Sequence, residues 1–252
     1  MYEVIKIVVV SDMHGELPDI PPCDLLLIAG DSCPVNGDHN ASIQYNWMNG
    51  HMHNWLATVP AKRIIMIGGN HDFVCQSPMW QTTEEHFGAA YLEDSGIEAF
   101  GFNVWGTPWI PNLSDWAFYA TDDRLKEIYG LIPDDTDILM LHSPPLGHLD
   151  FFPSGGRLRS VGAPHIENRI KEVKPKLAVC GHIHHSYGAK LIGDPDHPTL
   201  LVNAAHVTES YNPENAPVEI TFKKNSYGVL EITECSVDID MDLSPSKISS
   251  IF

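Results

Sequence analysis

Runs of apolar residues divide the first two thirds of the chain at near-regular intervals. Val4 to Val10 and Asp24 to Ala29 lose all polar alternation towards their ends, the pattern of strands covered on both faces. Arg63 to Ile67, Phe102 to Gly106, Asp137 to Leu141, Lys176 to Cys180 and Thr199 to Val202 repeat the pattern. Between them lie segments with helical spacing. Ala41 to Thr58 carries Ile43, Trp47, Met48, Trp55 and Leu56 at helix-like steps, and helices are also predicted over Met79 to Phe87, Asp122 to Leu131 and Pro164 to Val173. Val218 to Phe222 and Tyr227 to Thr233, joined through Lys223, Lys224, Asn225 and Ser226, predict a hairpin.

This order predicts an α/β fold with two sheets face to face and helices outside. No repeat, low-complexity block or linker divides residues 1–240, so a single domain is expected there. Residues 241–252 form a Ser-containing tail that is expected to fray.

The polar residues that end the strands share one character. Val8-Val9-Val10 leads into Ser11-Asp12-Met13-His14-Gly15, and Leu25 to Ala29 into Gly30-Asp31. Ile64 to Ile67 leads into Gly68-Gly69-Asn70-His71-Asp72, Ile138 to Leu141 into His142, and Leu177 to Cys180 into Gly181-His182-Ile183-His184. Loops at the carboxyl ends of such strands converge on one crevice. Asp, His and Asn without a neighbouring thiolate suit Mn, Fe, Zn or a similar divalent ion better than a structural zinc knuckle. Six or seven such groups are too many for one ion and about right for two, an arrangement that serves displacement at phosphorus.

The series Asp12-x-His14, Gly30-Asp31, Gly69-Asn70-His71-Asp72, His142 and Gly181-His182-x-His184 resembles the signature of the calcineurin-like metallophosphoesterases. Trp105-Gly106-Thr107-Pro108-Trp109, His142-Ser143-Pro144-Pro145-Leu146-Gly147 and Val202-Asn203-Ala204-Ala205 resemble one branch of it. That branch is the small metallophosphoesterase-domain-containing proteins grouped with class III cyclic nucleotide phosphodiesterases. The likeness runs from about Ile5 to Phe222. It implies a four-layer α/β/β/α sandwich and two divalent metal ions. One ion would be held by Asp12, His14 and His184 and the other by Asn70, His142 and His182, with Asp31 bridging. It further implies that His71 sits beside the phosphate without binding metal and that Asp72 orients His71.

The activity expected on this basis is hydrolysis of a phosphodiester, a cyclic nucleotide or other small diester, by a metal-bridged hydroxide. Two divalent ions, the charges of Asp12 and Asp31 and that hydroxide leave a local charge of about +1, which attracts a singly charged diester. A phosphomonoesterase acting on nucleotides or phosphoproteins is the second reading and a nuclease the third. A metal-stabilised binding module is the non-enzymatic alternative, against which the intact His71 weighs.

Composition narrows the partners. A formal charge of −18, from 33 acidic and 15 basic residues, argues against an extended nucleic-acid surface and for a small phosphoester substrate. Ile7 to Val10 is too short for a signal-peptide core or a membrane span, so no membrane association is expected. Five scattered cysteines without a C-x-x-C pair suit a reducing cytoplasm. Gly50-His51-Met52-His53 spells the same pattern as 181–184 but follows no buried strand, so no metal role is expected of it. Cys33 and Cys180 are expected to be small buried residues. Trp105, Trp109, Trp116, Phe118 and Tyr119 are expected in the core or an interface. The loop carrying Phe151, Phe152 and Gly155-Gly156-Arg157-Leu158-Arg159 is the candidate substrate loop, with Arg157 and Arg159 joining Asn70 and His71 as substrate-binding residues.

Overall fold

The computed structural model describes residues 4–224 and 229–240. Fifteen strands appear in chain order: β1 Val4–Val10, β2 Cys23–Ala29, β3 Ala61–Ile67, β4 Ala90–Tyr91, β5 Ser95–Ala99, β6 Phe102–Thr107, β7 Ile138–Leu141, β8 Phe151–Ser154, β9 Arg157–Ser160, β10 Leu177–Cys180, β11 Gly188–Asp194, β12 His197–Asn203, β13 Val218–Lys224, β14 Leu230–Cys235 and β15 Ile239–Asp240. The helices are α1 Ala41–Trp47, α2 His53–Leu56, α3 Glu84–Phe87, α4 Asp122–Tyr129 and α5 Ile166–Val173.

The strands form a six-stranded sheet ordered β14-β13-β1-β2-β3-β4, a seven-stranded sheet ordered β15-β11-β12-β10-β7-β6-β5, and the separate ribbon β8-β9. Strands β1, β2 and β3 are mutually parallel, as are β6, β7, β10 and β12. Their carboxyl ends therefore lie along one edge.

Strand periodicity explains how three cores arise from these runs. Successive side chains point to opposite faces, so Ile7, Val9, Leu25 and Leu27 meet Val104, Met140, Val179 and Val202 between the two sheets. The intervening Val8, Val10, Leu26 and Ile28 pack outward against Met48, Met52 and Leu56. On the other sheet Leu139, Leu141, Ala178 and Leu201 pack against Leu125, Ile128, Ile166 and Ile170 of α4 and α5. The result is a four-layer α/β/β/α sandwich. Each fully buried Leu or Ile contributes roughly 1.5–3 kcal/mol by leaving water, so the strands that carry the site residues are among the most firmly anchored parts of the molecule.

Several elements differ from the sequence expectation. The helix over Ala41 to Thr58 runs through a π-helical turn at Met48–Met52 before α2, and the second G-H-x-H pattern lies within this turn and the start of α2. His51 is exposed, and the His53 ring bonds to the Phe87 carbonyl at 3.2 Å. Of Met79 to Phe87 only Glu84–Phe87 is helical, because Thr83 caps a new start by accepting from the His86 N–H. The substrate loop contains the ribbon β8-β9, and β5 and β11 extend the second sheet. The 225–226 turn, Tyr227 and the tail at 241–252 lie outside the described residues.

Candidate metal centre

Two interleaved loops build the floor of the crevice. Just past β1 and β2, the Asp12 N–H donates to Gly30 O, His14 N–H to Asp31 O and Gly15 N–H to Ser32 O, each at 3.0 Å. Asp12, His14, Asp31 and His182 all adopt positive φ, between 47° and 65°. Non-glycine residues rarely hold that conformation, and it persists where surrounding contacts over-determine it. Gly181 is required by close approach: a Cβ there would overlap the Asp12 carboxylate and the Ser11 hydroxyl.

These loops gather the expected residues into adjoining clusters. Asp12, His14 and His184 offer ligand atoms within 4.8 Å of one another, and so do Asp31, His142 and His182. Asn70 Oδ1 lies 3.0 Å from His142 Nε2. Asp31 stands between the clusters: its Oδ1 accepts from the His71 N–H at 2.7 Å, while Oδ2 lies 3.7 Å from His14 Nε2 and 3.3 Å from His142 Nε2. Asp12 is aimed by the His182 N–H, 2.9 Å from each carboxylate oxygen.

The imidazoles are presented through Nε2. His142 Nδ1 faces the Ala29 carbonyl at 2.9 Å, and His184 Nδ1 faces the Thr208 carbonyl at 3.1 Å. Donation from Nδ1 to these carbonyls turns each Nε2 into the cluster, where it offers a lone pair once the ring is neutral. His14 Nε2 and His184 Nε2 then face each other at 3.3 Å beside the buried Asp12. Paired nitrogen donors beside two buried carboxylates, with no lysine or arginine salt-bridged to either carboxylate among the described residues, are a donor set that fits divalent cations.

The charges act strongly on one another. Burial raises the Asp12 carboxyl, yet His184 and His142 outweigh it and bring Asp12 to about 2. Burial likewise opposes ionisation of Asp31, which His142, His71 and His14 hold well below the carboxylate range. Burial lowers His142, but Asp31 overrides this and lifts it to about 9. His14 falls to about 4 and His182 to about 3, both through burial first.

His71 lies at the edge of this floor. Its ring nitrogen Nδ1 bonds to Asp38 Oδ1 at 2.9 Å, and a third cluster of possible ligand atoms joins it to His14 and Asp31. Asp38, not Asp72, holds the ring. The Asp72 carboxylate is occupied by backbone N–H groups, from Cys33 and Gly69 at 2.9 Å and Ser32 at 3.3 Å. It therefore fixes the two loops that carry Asp31 and Asn70. Gln44, buried on α1, donates to the His71 carbonyl at 2.6 Å and accepts from the Val74 N–H, fixing that loop from the other side.

Above the floor opens a cavity of about 530 Å³, lined by Asp31, Asn70, His71, His182 and His184 below and by Asn112, Leu113, Phe152, Val161 and Tyr211 around the sides. Arg157 and Arg159 do not line it. Both are exposed on β9, where long side chains keep their charge in water, and Phe152, paired with Arg159 across the ribbon, reaches the wall instead. The aromatic group divides as well. Phe118 is fully buried and Trp105 and Trp109 pack on the cores, whereas the Trp116 ring lies 4.3 Å from that of His71. Cys33 and Cys180 are buried with thiols raised by burial, as small core residues.

Sequence reading missed Asp38, Gln44, Leu113 and Tyr211. Asp38 follows a one-turn 3-10 helix at Val35–Gly37, and Tyr211 lies in a loop; neither sits at a strand end. No helix among the described residues is long and apolar enough to cross a membrane.

Known proteins resemble this chain in sequence and in fold. Human metallophosphoesterase domain-containing protein 1 is 32% identical over 242 residues, covering 85% of this chain and 70% of the human protein. The Caenorhabditis elegans UPF0046 protein T07D4.2 is also 32% identical, over 85% of this chain and 59% of its own length, so this chain spans less than two thirds of that relative. Purple acid phosphatase PPD1 from yellow lupin shares the fold at 13% identity with a TM-score of 0.50, over 98% of this chain and 55% of the phosphatase. The family profile described as calcineurin-like phosphoesterase matches residues 5–186, and with this floor of strand-end carboxylates and imidazoles the chain belongs to that family of metal-dependent phosphoesterases.

Proposed function

We propose that this protein hydrolyses small phosphodiesters, cyclic nucleotides among them, using two divalent ions. Asp12, His14 and His184 would hold one ion, Asn70, His142 and His182 the other, and Asp31 both. The observation that carries this reading is the position of Asp31 Oδ2, within 3.7 Å of His14 Nε2 and 3.3 Å of His142 Nε2. Bound ions supply Lewis acidity at the phosphoryl oxygen and activation of the attacking water. The protein does the rest. The His71 N–H fixes Asp31 so that Oδ2 stays between the clusters. The Asp38 carboxylate fixes the His71 ring through Nδ1, which leaves the other ring nitrogen free to meet the leaving oxygen. Asn70 and His71 line the cavity floor, where they can touch the phosphate.

Preference for a diester is supported by the lining, which among the described residues contains no lysine or arginine to neutralise a second negative charge. Five unpaired thiols suit a reducing compartment such as the cytoplasm. The test is metal content together with turnover of bis(p-nitrophenyl) phosphate and p-nitrophenyl phosphate by protein loaded with Mn²⁺. Two ions per chain and a higher kcat/KM for the diester are expected. A clear preference for the monoester would make the protein a phosphomonoesterase, and two bound ions without turnover would make it a binding module.

A further inference from the structure

The rim of the cavity carries features that the metal chemistry does not require. Leu113, Phe152 and Tyr211 are large and apolar or aromatic, yet 47%, 42% and 43% exposed. Exposed apolar residues are common singly, but these three come from three separate segments and line one cavity. Leu113 follows β6, Phe152 is on β8 and Tyr211 follows β12. Leu113 and Tyr211 also hold positive φ, 67° and 59°. A bulky residue in that conformation is strained, and such strain gathers at ligand clamps. The Tyr211 ring stands edge-on to those of His14 and His184, at 5.0 and 5.6 Å, so the rim continues directly into the metal floor.

The electrostatics of the wall are equally specific. Among the described residues its one charged side chain above the floor is Glu209, beside Tyr211 in the same loop, and no lysine or arginine lines the cavity. A second phosphate on the ligand would meet a carboxylate and an apolar surface. A flat, uncharged ring would bury against Leu113, Phe152 and Tyr211 and stack on the aromatics.

We infer that Leu113, Phe152 and Tyr211 form a clamp for a flat, uncharged ring, of the nucleobase kind, attached to a single phosphodiester, and that Glu209 disfavours ligands with a further phosphate. This inference rests on the proposed diester hydrolysis for the position of the phosphate over the floor, but it is read out by binding and can be judged apart from turnover.

The experiment uses the Mn²⁺-loaded full chain and isothermal titration calorimetry with three ligands: the methyl phosphodiester of adenosine 5′-phosphate, dimethyl phosphate and adenosine 5′-diphosphate. The adenosine diester is expected to bind about fivefold to a hundredfold more tightly than dimethyl phosphate, the range of one base stacked on aromatic side chains. Phe152→Ala and Leu113→Ala should each shrink that ratio, and neither removes a core residue, since both belong to none of the three hydrophobic cores. Glu209→Gln should strengthen adenosine 5′-diphosphate relative to the adenosine diester. Equal affinities for the adenosine diester and dimethyl phosphate in the wild type, or an unchanged ratio in both alanine variants, would overturn the clamp. A preserved ratio with no turnover of any diester would leave the clamp standing and sink the hydrolytic reading. Turnover with no ring preference would do the reverse.

Discussion

The floor and the rim of the cavity are built on opposite terms. Asp12, Asp31, Asn70 and His142 are almost wholly buried, and each is tied to backbone or to a neighbouring ligand group within about 3 Å. Leu113, Phe152 and Tyr211 stand more than 40% exposed on a loop, a ribbon and another loop. The floor can be rigid because five strands, β1, β2 and β3 of one parallel set and β7 and β10 of another, lead into its residues and their apolar side chains anchor it. The rim rests on segments outside the main sheets. Such a division lets the chemistry stay fixed while loop changes alter the ligand, because binding residues are commonly carried by loops on a rigid scaffold.

The largest effect is expected at Asp31 in the floor. Asp31→Ala should lower occupancy of both ions and abolish turnover, whereas His14→Ala should mainly weaken one, as read by metal analysis of purified variants. His71→Ala comes next. It should retain both ions while losing about 10²–10⁴ in rate on a diester with an alkoxide leaving group. The loss should be much smaller on bis(p-nitrophenyl) phosphate, whose leaving group needs little protonation. Equal losses on the two substrates would mean that His71 only positions the phosphate.

A smaller effect of the same kind is expected at Asp38. Asp38→Asn removes the charge that holds the His71 ring and should cost about 10–100-fold on the alkyl diester, a range typical for outer groups that orient a ligand or base. The mildest test concerns protons. His142 is held at about 9 by Asp31, so at neutral pH it carries a proton that a cation must displace. His14 and His182, at about 4 and 3, are already neutral there. Cation binding should therefore release protons, and apparent affinity should rise with pH up to about 9. Titrations in buffers of different ionisation enthalpy would detect it.

The floor was legible in the sequence because burial on both faces makes a parallel strand read as an uninterrupted apolar run. Val8 to Val10 and Leu25 to Ala29 therefore mark where the chain must turn, and Gly30 and Gly181 mark how sharply. The surrounding support was less visible. Asp72 reads as a partner of His71 because it is adjacent in sequence, but its carboxylate turns to the N–H groups of Cys33 and Gly69. The true partner, Asp38, comes from the segment after β2, brought near through tertiary folding that no local periodicity encodes. The ribbon β8-β9 escaped for a related reason. Its residues are nearly all exposed, so it lacks the apolar alternation that reveals a half-buried strand. That is also why Arg157 and Arg159 looked closer to the substrate than Phe152.

On the proposed function one carboxylate, Asp31, serves two ions held by separate sets of strand-end residues. The most direct test is a crystal structure of Mn²⁺-loaded protein with anomalous diffraction at the metal edge. Two peaks per chain are expected, one contacted by Asp12, His14 and His184, the other by Asn70, His142 and His182, with Asp31 touching both. A single peak, or a second ion held through His71 in place of Asn70, His142 and His182, would contradict the account.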